Sequence, residues 1–489
     1  MKILLICKGE YRYFFPAIAR ALRNLADCEV SAVTFTGPAT RMVERIKSFN
    51  EVHNLAAYLK ESVRRCNLQE STAVLREFEH AGDCATLNTM VHADRIISRY
   101  PYQGIISILA AVIRFWEQLL SDMRPDAIVG EVACATEWLC WTEAQRLNIP
   151  YLIPCPTPVA NRFFFIGAPA GSWLSMQRSY EEAKERSLSP EEAHTAELFV
   201  QEFRARKSKP PFLAWGQRSP FLPDIRQIGR RAARIPFRIQ SYIEDGEFEV
   251  GSYHGTPPWN PIWQDTLKVI RHAFCESAVC EHSVPEGPSV YFPLHVQPEF
   301  TTDVRAPFLS NQVAVIENIS KSIPIGHRFI VKEHPNMKGE RRLSFYRQLK
   351  KLHNVQLVSP SIDSHTLIER SDAVLTITGS SAWEAILYEK PVIAFGPLCY
   401  GFYDLIFHCR EFSEFPKVIS VALNQFRPKH ELLLKFVWSF LQSAYEVEWG
   451  DPIRIPRILE KQNIEKVASA ILAETASRTS LAVPEFVSN

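Results

Sequence analysis

The stretch Asp372–Gly396, DAVLTITGSSAWEAILYEKPVIAFG, decides the fold. Its first residues are apolar and β-branched and read as a strand buried on both faces. Thr-Gly-Ser-Ser breaks the run, AWEAILYEK reads as a helix, and Pro391 opens a second apolar strand, PVIAFG. A strand, a helix and a strand in so short a space make a βαβ unit, and that unit implies a parallel sheet covered by helices on both sides.

The same alternation extends upstream. SVYFPL, HRFIVKE and VQLVSP are further strand candidates, separated by the helical patterns LSNQVAVIENISKSI and LSFYRQLKKL. At the other end of the chain KILLIC (2–7) reads as a strand, GEYRYFFP as a loop, AIARALRNLA (17–26) as a helix and CEVSAVTF (28–35) as a strand. Residues 40 to 120 read as mostly helical, after which PDAIVGE, a helix through Leu147 and IPYLIP restore the alternation. The chain has 489 residues, more than one hydrophobic core usually supports. The expected architecture is therefore α/β, with two Rossmann-like domains facing across a cleft: residues 1–160, a helical and Pro-rich insertion and linker at 161–264, a second domain at 265–473, and a disordered tail at 474–489.

Composition limits the function. With 55 basic against 54 acidic residues, no global charge attracts nucleic acid, so an acidic partner needs a local patch. The insertion offers one in IRQIGRRAARIPFRIQ. There Arg226, Arg230, Arg231, Arg234 and Arg238 stand among Ile and Phe, as a surface touching phosphates or anionic lipid head groups needs; the other reading is a solvated helix face paired with glutamates. YHGTPPWNPIW (253–263) reads as a linker or lid. The apolar run GIISILAAVI (104–113) is too short to span a bilayer and the N-terminus lacks a signal-peptide pattern, so a cytoplasmic protein is expected, peripheral at the inner face of the membrane if the arginines dock there. Eleven cysteines occur without a CxxC pair, as free thiols do in a reducing compartment. Cys275, Cys280 and His282 have no standard zinc spacing.

Three polar segments stand where strands end. In VKEHPNMK (331–338), Pro335 stops the ladder and restricts His334 to an extended backbone, so that a ring nitrogen can hydrogen-bond a phosphate. A strand-end histidine bonded to a backbone carbonyl is the plainer alternative. In TITGSSAWEA, Gly379 allows close backbone approach. Ser380 and Ser381 open a helix toward an anion, and Glu384 is placed to accept ribose hydroxyls; these side chains can equally serve as helix caps. In YFPLHVQPEFTTD (291–303), His295, Gln297, Glu299 and Asp303 follow a strand, and a carboxylate on a Pro-stiffened loop suits a nucleophile or a base, or is an exposed acidic loop. Glu131 and Glu10 are the N-terminal acid/base candidates.

FPLHVQPEFTT, VKEHPNMKG and SPSIDSHTLIERSDAVLTITGSSAWEAILYEKPVIAFG together resemble the capsule polysaccharide biosynthesis protein family, whose members include retaining β-Kdo transferases. The resemblance is strongest over residues 285–405. It implies a GT-B glycosyltransferase fold with a nucleotide-sugar donor on the C-terminal domain and the acceptor on the N-terminal side. It also implies donor contacts from Gln297, Lys332, His334, Pro335, Gly379, Ser380, Ser381 and Glu384, with Glu299 as the carboxylate that attacks the sugar. Glu299, His334 and Glu131 are thus the catalytic candidates. Where the family commonly has Ala-Ser, this chain has Phe300-Thr301. The chain contains no Asp-x-Asp pair, so neither a metal nor another cofactor is expected, and a CMP-linked sugar with its single phosphate needs no metal clamp. The implied reaction is transfer of a sugar, with Kdo from CMP-Kdo as the candidate, to a lipid-linked or glycan acceptor. A non-hydrolysing UDP-sugar epimerase and a nucleotide-binding scaffold of a polysaccharide export complex are the alternatives.

Overall fold

The computed structural model describes residues 1–80, 86–206, 235–246, 267–268, 271 and 280–479. Among them are two six-stranded sheets. The first holds β1 (Lys2–Cys7), β2 (Glu29–Thr34), β3 (Val52–Asn54), β4 (Ala127–Val129), β5 (Tyr151–Pro156) and β6 (Phe163–Ile166), in the order β3-β2-β1-β4-β5-β6. Its strands are parallel except β6, which runs antiparallel to β5. The second holds β7 (Ser289–Pro293), β8 (Arg328–Lys332), β9 (Val355–Val358), β10 (Ala373–Thr376), β11 (Val392–Ala394) and β12 (Ile406–His408), all parallel, in the order β12-β11-β10-β7-β8-β9. In each sheet the first strand lies at the point where the winding reverses, where α/β folds bind their ligands beyond the strands' carboxyl ends. Two Rossmann-like domains facing across a cleft, the GT-B arrangement, is the architecture.

Both faces of the strands are buried, and successive residues enter clusters on opposite sides of the sheet. Leu4 and Ile6 of β1 enter one hydrophobic cluster while Ile3, Leu5 and Cys7 enter another. In β7, Val290 and Phe292 face one cluster and Tyr291 the other. Tyr291 shares its cluster with Leu4, Trp116 and Trp383, so one apolar core runs through both halves. Each such fully buried large side chain contributes about 2–3 kcal/mol.

Segments of the chain cross between the halves. The helices Leu174–Lys184 and Pro190–Arg206 pack on the helix His430–Ser443 of the C-terminal half. In return the final helix Lys461–Thr479 packs on the helix Tyr11–Leu25, and Trp449 sits among Phe14, Phe163 and Phe165. That final helix continues into the stretch expected to be a disordered tail; residues 480–489 lie outside the described residues.

Other expectations change as well. The helix after β1 begins at Tyr11 rather than Ala17, with Pro16 inside it, because Phe14 and Phe15 bury there and compensate for the hydrogen bond that proline forfeits. The run at 104–113 belongs to a 22-residue helix, Tyr102–Met123, long and apolar enough by length and composition to cross a membrane. In the fold this helix packs against Leu55–Arg64, Leu68–His80 and Ala135–Arg146, with the Trp116 indole donating to Thr136 O at 2.9 Å. Arg226, Arg230, Arg231 and Arg234, the segment 253–263 and Cys275 lie outside the described residues, whereas Arg238 stands in the helix Ile235–Glu244.

Candidate functional site

Because β7 lies between β8 and β10, the three polar strand ends singled out in the sequence are neighbours. At the end of β8, Glu333 is buried and fully engaged. Its carboxylate accepts from Arg341 Nε at 2.9 Å, from the Tyr346 hydroxyl at 2.8 Å and from the His334 backbone N–H at 2.6 Å. Burial pushes the carboxyl up, and Arg341 with these hydrogen bonds pulls it back. Glu333 thereby fixes the backbone of His334, which has the extended conformation expected before proline (φ −69°, ψ 134°). His334 Nδ1 accepts the backbone N–H of Asn336 at 3.1 Å. Burial, Lys332 and Arg341 lower its pKa to about 4, so the ring is neutral and its proton sits on Nε2, which has no partner among the described residues. Pro335 begins a short 3-10 turn, and Lys332 donates to Ser364 Oγ at 2.6 Å.

At the end of β7 a second histidine is held the same way. His295 is buried; its N–H and C=O pair with the Gln312 amide at 2.8 and 3.1 Å, and its C=O also accepts from Arg341 Nη2 at 2.6 Å. Its Nε2 accepts the Thr378 N–H at 3.2 Å, while Nδ1 is buried without a partner among the described residues. Burial, His334 and Arg341 lower its pKa to about 3, so it too is neutral, with the proton on Nδ1. Arg341 therefore joins the end of β8 to the end of β7.

Beyond His295, Gln297 precedes a cis peptide to Pro298, and Glu299 stands at the N-cap of the one-turn helix Phe300–Asp303. Gln297 donates to Ser310 O. Glu299 is half-buried; its N–H donates to Asp303 Oδ2 at 2.9 Å and its carboxylate accepts from Thr301 Oγ1 at 2.8 Å. Burial raises its pKa, against the Thr301 hydrogen bond and the charge of Arg95. Arg95 comes from the N-terminal half and donates to Pro298 O, and a cavity of about 410 Å³ lies between its loop and Gln297, Pro298, Asp303 and Ser310.

At the end of β10 the Gly379 N–H donates to Thr376 Oγ1 at 2.9 Å, and an added Cβ at Gly379 meets that oxygen at 2.9 Å and His295 Nε2 at 3.0 Å. The glycine serves close packing against the histidine. The serine side chains do not cap: Ser380 occupies the N-cap position without a side-chain capping bond, and Ser381 Oγ is buried without a partner among the described residues. Glu384 is buried in the first turn of the helix Ser381–Leu387.

Glu131 lies elsewhere, at the end of β4. It accepts from the Tyr11 hydroxyl at 2.5 Å, and that hydroxyl accepts from Trp449 Nε1 at 3.0 Å. Burial raises the Glu131 pKa, while the Tyr11 hydrogen bond and the Lys8 charge lower it. With Lys8, Glu10, Tyr11, Arg238 and Trp449 it lines a cavity of about 480 Å³. No bond or shared cavity joins Glu131 to Glu299 among the described residues. The residues that sequence reasoning passed over are Arg341, Tyr346 and Arg95; His295 figures in it only among the polar residues that follow its strand. Arg95 has no local signal, but Arg341 stands a few residues beyond an acidic strand end that needs a cation.

Fold and site define a two-domain α/β protein of GT-B arrangement whose C-terminal half gathers three polar strand ends. Residues 286–406 match the model of the family described as Capsule polysaccharide biosynthesis protein, so the resemblance carried by the three motifs holds over that segment. The chain is 29% identical over 112 residues to the capsule polysaccharide modification protein LipA of Neisseria meningitidis serogroup A, covering 23% of this chain and 15% of LipA. It is 26% identical over 157 residues to the protein FixF of Sinorhizobium fredii, covering 31% of this chain and 37% of FixF. The chain thus spans well under half the length of these relatives. Among solved structures, the KpsC β-Kdo 2,4 transferase of Thermosulfurimonas dismutans aligns at 13% identity and TM-score 0.35 over 64% of this chain and 79% of that one. The UDP-GlcNAc 2-epimerase of Methanocaldococcus jannaschii aligns at 13% identity and TM-score 0.30 over 97% and 100%.

Proposed function

We propose that the protein is a nucleotide-sugar-dependent glycosyltransferase of bacterial surface polysaccharide biosynthesis, with its donor at the ends of β7, β8 and β10. The observation that carries this reading is His334: a neutral ring, oriented by the Asn336 N–H on Nδ1, presenting Nε2–H with no partner among the described residues. A fixed neutral donor suits a phosphate oxygen and stabilises the charge that grows on the nucleotide as it leaves. Gly379, Ser380 and Ser381 contribute a close backbone and hydroxyl donors to the same phosphate, Glu384 accepts the ribose hydroxyls, and Gln297, Lys332 and Pro335 position the sugar and the loop. Glu299 supplies the carboxylate that attacks the sugar, its charge steadied by the Thr301 hydroxyl and Arg95. Glu131, held high by burial beside Tyr11, serves the acceptor hydroxyl on the N-terminal side.

The finer reading is Kdo transfer from CMP-Kdo to a lipid-linked or glycan acceptor, without a metal, at the cytoplasmic face of the membrane. The family resemblance and the absence of an Asp-x-Asp pair support it, and the arginine-rich sequence 226–238 is the candidate segment for docking on anionic lipid. Turnover of CMP-Kdo with a lipid acceptor tests it. Glu299→Ala is expected to abolish turnover and to leave CMP binding intact, and EDTA to change neither. Weakened CMP binding in a folded Glu299→Ala protein counts against the nucleophile, and conversion of a free UDP-sugar without acceptor counts against the transferase.

A further inference from the structure

The sulfurs of Cys155 and Cys399 lie 3.6 Å apart although the residues are 244 positions apart in sequence. Cys155 lies in the last residues of β5 in the N-terminal sheet, and Cys399 sits in the turn after β11 in the C-terminal sheet. Their surroundings are polarised. The buried Arg305 guanidinium donates from Nη2 to Cys399 Sγ at 2.8 Å, and the Trp173 indole N–H donates to Cys155 Sγ at 3.3 Å. The hydrogen bond from Cys155 and the charge of Arg305 hold the Cys399 thiol low against burial. Proton and charge are thereby divided, with a thiolate at Cys399 and a thiol at Cys155 that donates to it.

We propose that Cys155 and Cys399 are a reversible peroxide-sensitive modification site, closing into a disulfide that bonds the two halves of the chain. The Cys399 thiolate attacks one peroxide oxygen; the O–O bond breaks, Cys399 becomes a sulfenic acid, and the released hydroxide takes a proton to leave as water. The Cys155 sulfur, giving up its proton, then attacks the Cys399 sulfur. The S–S bond forms, the S–O bond breaks, and a second water leaves. Two thiols have lost two electrons and hydrogen peroxide has gained them; a dithiol reductant reverses the change. In a reducing compartment the pair rests as thiols, so the bond is an event rather than a staple.

The bond reaches the candidate site from both sides. Arg305 follows the Glu299 loop by two residues after Asp303 and loses its anionic partner when the thiolate is consumed. Tyr400, next to Cys399, donates to Gly379 O at 3.5 Å.

The test is peptide mapping of the full-length wild-type protein after stoichiometric hydrogen peroxide, alkylation with N-ethylmaleimide and digestion without reductant. One cross-linked peptide pair joining Cys155 to Cys399 is expected, cleaved by dithiothreitol and accompanied by a higher unfolding midpoint, because the bond closes a long loop. Arg305→Gln is expected to slow its formation about tenfold at pH 7, with the difference disappearing at alkaline pH where the thiolate no longer needs the guanidinium. Recovery of both cysteines as maleimide adducts, their separate over-oxidation, or a link to another cysteine overturns the proposal. The mapping uses the unaltered chain, so it stands whether or not the variant folds.

Discussion

At the carboxyl end of β1 the N-terminal half sets Lys8 against Glu137 at 2.7 Å, both buried, and across the same sheet it covers Glu131 with the Tyr11 hydroxyl. At the ends of β7, β8 and β10 the C-terminal half ties Glu333 to Arg341, Tyr346 and the His334 N–H, and it leaves His334 Nε2, His295 Nδ1 and Ser381 Oγ without partners among the described residues. The two sheets share a winding order and the habit of burying a paired charge at the strand ends. What differs is the group offered: a carboxylate bonded to Tyr11 and raised by burial on the N-terminal side, neutral N–H and O–H donors on the C-terminal side. A carboxylate suits a hydroxyl that must lose a proton, and neutral donors suit an anion that must be held without being trapped. One topology thus places two different kinds of polar group at its strand ends.

The largest expected effect lies in the buried pairs. Glu333→Ala strands Arg341 in the core and is expected to lower stability by about 3–5 kcal/mol in urea unfolding. A change below about 1 kcal/mol breaks the comparison, because it makes the pair dispensable at one edge.

Acid stability comes next. His295 and His334 titrate at about 3 and about 4 in the folded protein against 6.5 ordinarily, so between those values the unfolded chain binds more protons. The stability they confer is present above pH 6.5 and is lost as pH falls toward 4 and then 3. The raised carboxyls of Glu299, Asp303 and Glu333 act in the opposite direction, so the histidine contribution is read as a difference between proteins. Urea midpoints at pH 7.5, 6 and 5 are expected to decline less steeply in His295→Gln than in the wild type. Parallel declines place the acid sensitivity elsewhere.

The glycines sharpen the contrast at smaller cost. Gly379→Ala forces a Cβ against Thr376 and His295 and is expected to cost about 1–3 kcal/mol and to weaken nucleotide binding. Gly9, after β1, has open space around it and a φ of +52°, so Gly9→Ala costs about 1–2 kcal/mol through backbone strain and leaves nucleotide binding unchanged. Paired calorimetric titrations separate the two, and equal losses of affinity remove the distinction.

Much of this was legible in the sequence. The strands β7 to β11 announce themselves because each is apolar on both faces, and the motif at 372–396 fixes their parallel sense. The candidates Gln297, Glu299, Lys332, His334, Pro335, Gly379, Ser380, Ser381 and Glu384 fall at three adjacent strand ends. The rest depends on contacts that local pattern does not carry. Tyr11 to Pro16 looks like a loop until Phe14 and Phe15 find a core, β12 is three residues long, and Lys461–Thr479 is defined by its packing on the opposite half. Arg95 meets the Pro298 carbonyl across 203 positions, a separation at which sequence offers no spacing rule.

The central claim is that the C-terminal strand ends, and not the N-terminal ones, hold the nucleotide. Calorimetric titration of CMP, UDP, GDP and ADP into the wild type, His334→Ala and Glu131→Gln tests it most directly. One nucleotide is expected to bind preferentially, at least about tenfold more weakly to His334→Ala through the loss of a charge-assisted hydrogen bond, and unchanged to Glu131→Gln. Undiminished binding to His334→Ala, or an equal loss in Glu131→Gln, contradicts the account.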